Sequence, residues 1–147
     1  MNETNQVLNK AIDDSTEEII KLVDEFAKEN SAKIVGTHDK KKDGKAGKRQ
    51  FTDLVEAAGQ TCCINEFKLY IEYKGSKKGT SNLWDGLAKP FNKKIDALMV
   101  VADKIIKSVR AENEDVEDER VKIEVLKRFC GYLMWRTHAD ISMEGGR

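Results

Sequence analysis

Apolar positions recur along the chain at three- and four-residue steps, in blocks separated by polar stretches that carry glycine. That spacing is helical. The block around which the rest is organised runs from Thr61 to Arg110. Its first helix carries Ile64, Phe67, Leu69, Tyr70, Ile71 and Tyr73, with a narrow polar side of Asn65, Glu66, Lys68 and Glu72. Such a helix is expected to be buried on more than one face, with Thr61 as its cap. The segment GSKKGTSN supplies a turn, and Ser81 or Asn82 caps a second helix beginning at Leu83 or Trp84. Leu87, Phe91, Ile95, Leu98, Met99, Ala102, Ile105, Ile106 and Val109 carry that helix onward. Pro90 disfavours helical angles at the residue before it, which predicts a kink or break at Lys89.

Upstream, Ile19, Val23, Phe26 and Ala27 share one face with Ile20 beside them, and Ser15 with Glu18 fits a capping box. This helix is expected to end near Asn30. Residues 1–14 are polar without sustained period and read as a frayed lead-in or the ragged start of the first helix. Phe51, Leu54, Val55 and Ala58 form a short helix that Gly59 ends or bends. The acidic segment from Glu112 to Glu119 is a connection or the solvated first turn of the last helix, where carboxylates complement the dipole. Val121, Val125, Phe129, Tyr132 and Leu133 continue it, and Ile123, Leu126, Cys130 and Trp135 widen its apolar face. Residues 139–147 read as a tail. No fixed-period repeat is visible, which argues against a solenoid.

With 147 residues, one proline and 35% charged residues, the chain is long enough for one self-supporting core and has few enforced breaks. The expected fold is all-α, a single-domain antiparallel helical bundle of about five helices with a long basic loop. Residues 32–50, which include Gly36, Gly44 and Gly47 amid a lysine run, are that loop. Self-repulsion and entropy make it mobile. No apolar run is long enough to span a bilayer and the N-terminus lacks a signal-peptide pattern, so a cytoplasmic protein without membrane contact is expected.

Charge changes the picture more than its sum suggests. Formal net charge is zero, yet the signs are segregated. Lys41, Lys42, Lys48 and Arg49 crowd the loop, while Lys68, Lys74, Lys77, Lys78, Lys89, Lys93 and Lys94 decorate the central helix pair. Acid collects at Asp13, Asp14, Glu17 and Glu18 and from Glu112 to Glu119. A ligand feels the local field within a Debye length, about 8 Å at physiological salt. The clustered lysines therefore point to phosphate binding of a non-specific, salt-sensitive kind, against the plainer reading of a solvated face. Tyr70, Tyr73 and Trp84 lie close by and either stack on bases or close the core, the latter being the usual role of amphipathic aromatics.

Catalytic and metal chemistry find little support. Cys62, Cys63, Cys130, His38 and His138 are the only soft ligands, and none has zinc spacing. Cys130 and His138 sit two turns apart on one helix, too far for a direct hydrogen bond. No phosphate-cradling glycine motif precedes a helix. No metal, cofactor or enzymatic activity is assigned.

Three segments, NEFKLYIEYKGSKKG (Asn65–Gly79), LWDGL (Leu83–Leu87) and VLKRFCGYLMWR (Val125–Arg136), carry a resemblance. Between about Phe51 and His138 the sequence resembles the small subunit of type III CRISPR effector complexes, compact helical proteins lining the interior filament of RNA-guided assemblies. The near-neutral charge and the loop at 33–49 depart from that family. The resemblance implies an architectural, non-catalytic subunit. Its partners would be guide and target RNA strands held through their phosphates, other subunits of the complex, and further copies of itself. The alternative is a helical protein–protein interaction adaptor or inhibitor whose basic patch takes an acidic partner.

Overall fold

The computed structural model describes residues 3–37, 45–78, 82–112 and 115–145. Among them the chain forms seven helices: α1 (Glu3–Asp14), α2 (Thr16–Glu29), α3 (Ser31–Thr37), α4 (Lys45–Gln60), α5 (Ile64–Gly75), α6 (Ala88–Ala111) and α7 (Asp118–Gly145). All seven feed one continuous core, through Leu8, Val23, Ile34, Phe51, Phe67, Phe91 and Phe129 in chain order. The aromatic centre is Phe91. Its ring meets Phe26 and Trp84 edge-on at 5.5 and 5.4 Å, and Phe67 and Phe129 at 6.2 and 6.1 Å. Each such fully buried side chain contributes about 1.5–3 kcal/mol of transfer free energy, so this cluster ties α2, α5, α6 and α7 together. Outside it, α7 packs along α4 as well as against α2 and α6.

The helix count exceeds the expected five because short apolar stripes within polar text still find a partner. In α1, Leu8, Ala11 and Ile12 are buried and α1 lies on α6. Residues 3–14 are therefore a packed helix rather than a frayed lead-in. Ser15 does stand between α1 and α2, but its hydroxyl makes no cap bond. Its backbone sits at φ −100°, ψ 6°, and its N–H already bonds Ile12 O at 3.0 Å. A capping box needs a more extended residue there.

The expected loop at 32–50 is mostly helical. Ile34 is buried in α3, and α4 starts at Lys45 instead of near Phe51. Burial of Ile34 and Phe51 on either side draws the flanking chain into helix. Residues 38–44, with His38, Lys41 and Lys42, lie outside the described residues. The expected tail at 139–147 also differs, since α7 continues to Gly145 and buries Ile141.

Pro90 causes no break. The turn from Leu83 to Leu87 precedes α6, and Pro90 falls in the first helical turn, where the absent N–H would have had no helical acceptor. Reversal occurs instead at Gly86, whose φ of +98° is open to glycine and strained for other residues. Among the described helices none is long and apolar enough to cross a membrane.

Candidate nucleic-acid interface

The end of α5 and the start of α6 meet at Gly75. A Cβ on Gly75 would stand 2.5 Å from Ala88 Cβ and 3.0 Å from Trp84 O, so only glycine allows the two segments this close. Further along the pair, Asn92 Nδ2 donates to Lys68 O at 3.1 Å. Asn82 clamps the connection from both sides. Its Nδ2 donates to the carbonyls of Lys74, at 2.9 Å, and Lys77, while its Oδ1 accepts Trp84 N–H at 3.2 Å. Trp84 is fully buried, and its indole N–H donates to Gln50 Oε1 at 3.0 Å. That bond anchors the start of α4 to the same end of the molecule.

At the other end of α5, a carboxylate from a distant helix acts as the cap. Glu119, in the first turn of α7, accepts Ile64 N–H at 2.7 Å. Glu66 accepts Cys62 N–H at 2.7 Å and the Thr61 hydroxyl at 2.7 Å. These bonds, the backbone one foremost, lower the Glu66 carboxyl below its ordinary 4.5. Thr61 thus serves this helix start through Glu66, with Cys63 at the N-cap itself.

Against this frame the predicted cations separate. Lys68 pairs with Asp96, and Lys94 with both Glu25 and Glu29 at 3.3 and 3.4 Å. The Lys94 side chain is only 15% exposed and faces α2. Neither lysine offers a free charge to a polyanion. Lys74 and Lys77 instead lie over the rings of Tyr70 and Tyr73, at 5.3 and 4.8 Å from the centroids. Lys77, Lys78, Lys89 and Lys93 are exposed, and Lys78 has Asp85 at 3.7 Å. Arg49 is exposed next to Gln50, hence at the same end. Lys48 is half-buried, with its carbonyl accepting His138 Nε2–H at 2.9 Å.

An open cleft of ≈ 550 Å³ lies at the turn, lined by Lys78 and Lys89 together with Glu72, Asp85, Gly75, Gly86 and Asn92. The N-terminus of α6 opens there and has no acidic residue in its first turn, so its dipole adds to the positive field. Tyr73 stands out from α5 at 60% exposure, and Leu69, one turn back, at 64%. Their exposure corrects the expectation that α5 is buried on several faces. Only Ile64, Phe67 and Ile71 are buried on it, because α6 and α7 cover a single side.

Cys130 and His138 are each engaged elsewhere. Cys130 is fully buried, and desolvation pushes its thiol far above the ordinary range, which removes the nucleophilic thiolate. His138 is held by the Lys48 carbonyl with Thr52 Oγ1 3.5 Å away. Among the described residues, no group of three or more His, Cys, Asp or Glu side chains is arranged to hold a metal.

The ion pairs that neutralise Lys68 and Lys94 join residues on different helices, as does the Glu119 cap, and no short-range sequence spacing marks them. Asn82 was within reach of sequence reasoning as a cap, though not as a two-sided clamp. Comparisons of the chain with protein-family models, curated proteins and solved structures give no match.

Proposed function

We propose that this protein is a non-catalytic, RNA-binding structural subunit. The setting suggested by its resemblance is a type III CRISPR ribonucleoprotein complex, in which it holds guide or target strand phosphates and contacts neighbouring subunits and further copies of itself. The supporting observation is the set of exposed Lys77, Lys78 and Lys89 with half-buried Lys74 around the α5–α6 turn, Lys93 one turn further along α6, a helix N-terminus with no acid in its first turn, and the exposed ring of Tyr73. Such a surface attracts a phosphate chain by charge and accepts an unpaired base by stacking, with no need of sequence recognition. Lys68 and Lys94 drop out of the contact set because their charges are already matched.

Replacing Lys77 and Lys78 together with glutamate tests the reading on single-stranded RNA titrated over a range of salt. Loss of two phosphate contacts flattens the log–log salt slope by about 1.4 for a single strand. Unchanged affinity at low salt removes the proposal. A second reading, an adaptor for an acidic protein, is favoured by Leu69 standing exposed next to Tyr73, an apolar contact that a nucleic acid does not require. Ribonuclease treatment during affinity purification separates the two, since only RNA-bridged partners are lost.

A further inference from the structure

A different surface, away from the lysine-lined turn, gives a definite place to the contact between copies that is part of the proposed function. Along the outer side of α2, opposite its buried residues Ile19, Val23, Phe26 and Ala27, stand Glu17, Lys21, Asp24 and Lys28. Their spacing of four, three and four residues keeps them on one stripe. The charges alternate strictly along it. Among the described residues Glu17, Lys21 and Lys28 have no ion-pair partner, and Asp24 holds Arg136 Nε of α7 at 3.2 Å. Flanking the stripe, Ile20 and Trp135 are 37% and 68% exposed and wall an apolar groove of ≈ 270 Å³ with Tyr132, whose ring lies 5.8 Å from that of Trp135. An indole so exposed, beside a fully charged stripe, is an uncovered apolar edge in need of a partner surface.

We propose that this face joins two copies of the chain, with α2 running antiparallel to α2 of the partner across a twofold axis between Leu22 and Val23. In that register Glu17 faces the second copy's Lys28, and Lys21 faces its Asp24. The twofold repeats both pairs, so all four charges on each copy meet an opposite one. Other twofold registers match fewer charges. A parallel arrangement sets each charge against its own copy, and a slide of one helical turn sets Glu17 against Asp24 or Lys21 against Lys28. An isologous interface must be self-complementary, and this stripe matches all four of its charges only in that register. Trp135 and Ile20 at its margin lose water when the copies meet. The occupant is therefore a second copy of this chain rather than a polyanion, which a stripe of equal positive and negative charge does not attract.

Sedimentation equilibrium of the full chain, from micromolar to sub-millimolar concentration, tests it. The chain dimerises. Lys28→Glu sets like charges against Glu17 twice and weakens the dimer by at least about tenfold, and Glu17→Lys does the same. The double exchange E17K/K28E restores the pairing and returns the dissociation constant to near the parent value. Trp135→Ala weakens the dimer without changing its sensitivity to salt. Circular dichroism melts of each variant confirm folding, as the three side chains are exposed. A chain monomeric at every concentration overturns the proposal. So does a dimer indifferent to Lys28→Glu, or a double exchange as weak as the single ones. RNA binding at the α5–α6 turn is measured separately, so a missing dimer and a missing RNA site are told apart.

Discussion

Lys93 and Lys94 are neighbours on α6 and belong to two different regions of the molecule. Lys93 faces solvent with the lysines of the α5–α6 turn, whereas Lys94, 100° around the helix, is pinned between Glu25 and Glu29 of α2. The first region collects cations where few carboxylates approach. The second uses a cation as a link between helices, and the link leaves no outward positive field, since two carboxylates meet one ammonium. A lysine therefore counts toward a binding surface only after its carboxylates have been located.

The largest effect expected from that contrast is on stability. Lys94→Glu replaces a mostly buried cation with an anion next to two others and costs about 2–3 kcal/mol, read as a lower urea midpoint. Lys93→Glu stays within about 0.5 kcal/mol of the parent, as exposed surface changes do. Affinity for single-stranded RNA behaves oppositely: Lys93→Glu weakens it, and Lys94→Glu, measured where it remains folded, does not. If both variants weaken RNA binding equally at equal stability, the division between the regions is wrong.

Gly75→Ala sharpens the comparison at the turn itself. Its methyl group collides with Ala88 Cβ and the Trp84 carbonyl, neither of which is a flexible side-chain end. Overpacking of that kind costs roughly 1–3 kcal/mol, offset by about 0.5–1 kcal/mol from replacing glycine in a helix, leaving a net loss of up to about 2.5 kcal/mol. The two segments must separate to relieve the clash, which carries Lys74 away from Lys89. RNA affinity should fall together with the thermal midpoint, although no charge has changed. A stable variant with intact RNA binding would show that the lysine arrangement does not depend on close approach at Gly75.

Much of this architecture could be read from apolar period alone, since Ile19, Val23 and Phe26, or Phe91, Ile95 and Leu98, repeat a face over several turns. Leu8, Ala11 and Ile12 occupy one turn within Asn, Gln and Asp, too short a stripe to separate from chance. Glycines and lysines between Lys33 and Arg49 argued for a loop, yet burial of Ile34 and Phe51 outweighs those local preferences. At the candidate site, the presence of the lysine cluster was legible and its membership was not. The separation of Lys94 from Lys93 depends on Glu25 and Glu29, and that of Lys68 on Asp96, partners that lie on other helices.

The smallest expected effect concerns the two ends of α5, which are finished in opposite ways. Asn82 caps the carbonyls at its C-terminus with a neutral amide, insensitive to acid. Carboxylates finish its N-terminus: Glu119 on Ile64 N–H, and Glu66 on Cys62 N–H and the Thr61 hydroxyl. The folded Glu66 carboxyl titrates below its ordinary 4.5. Its contribution is therefore fully present above that ordinary value and is lost as pH falls through the lower folded one. The stability difference between the parent and Glu66→Gln should be constant from pH 6 to 8 and shrink toward zero as the pH drops below about 4. Hydrogen exchange should place the opening at Ile64 and its neighbours rather than at Lys74. A Glu66→Gln difference that persists unchanged in acid would mean that the side chain acts there by shape instead of charge, and that the two ends of α5 are more alike than their caps suggest.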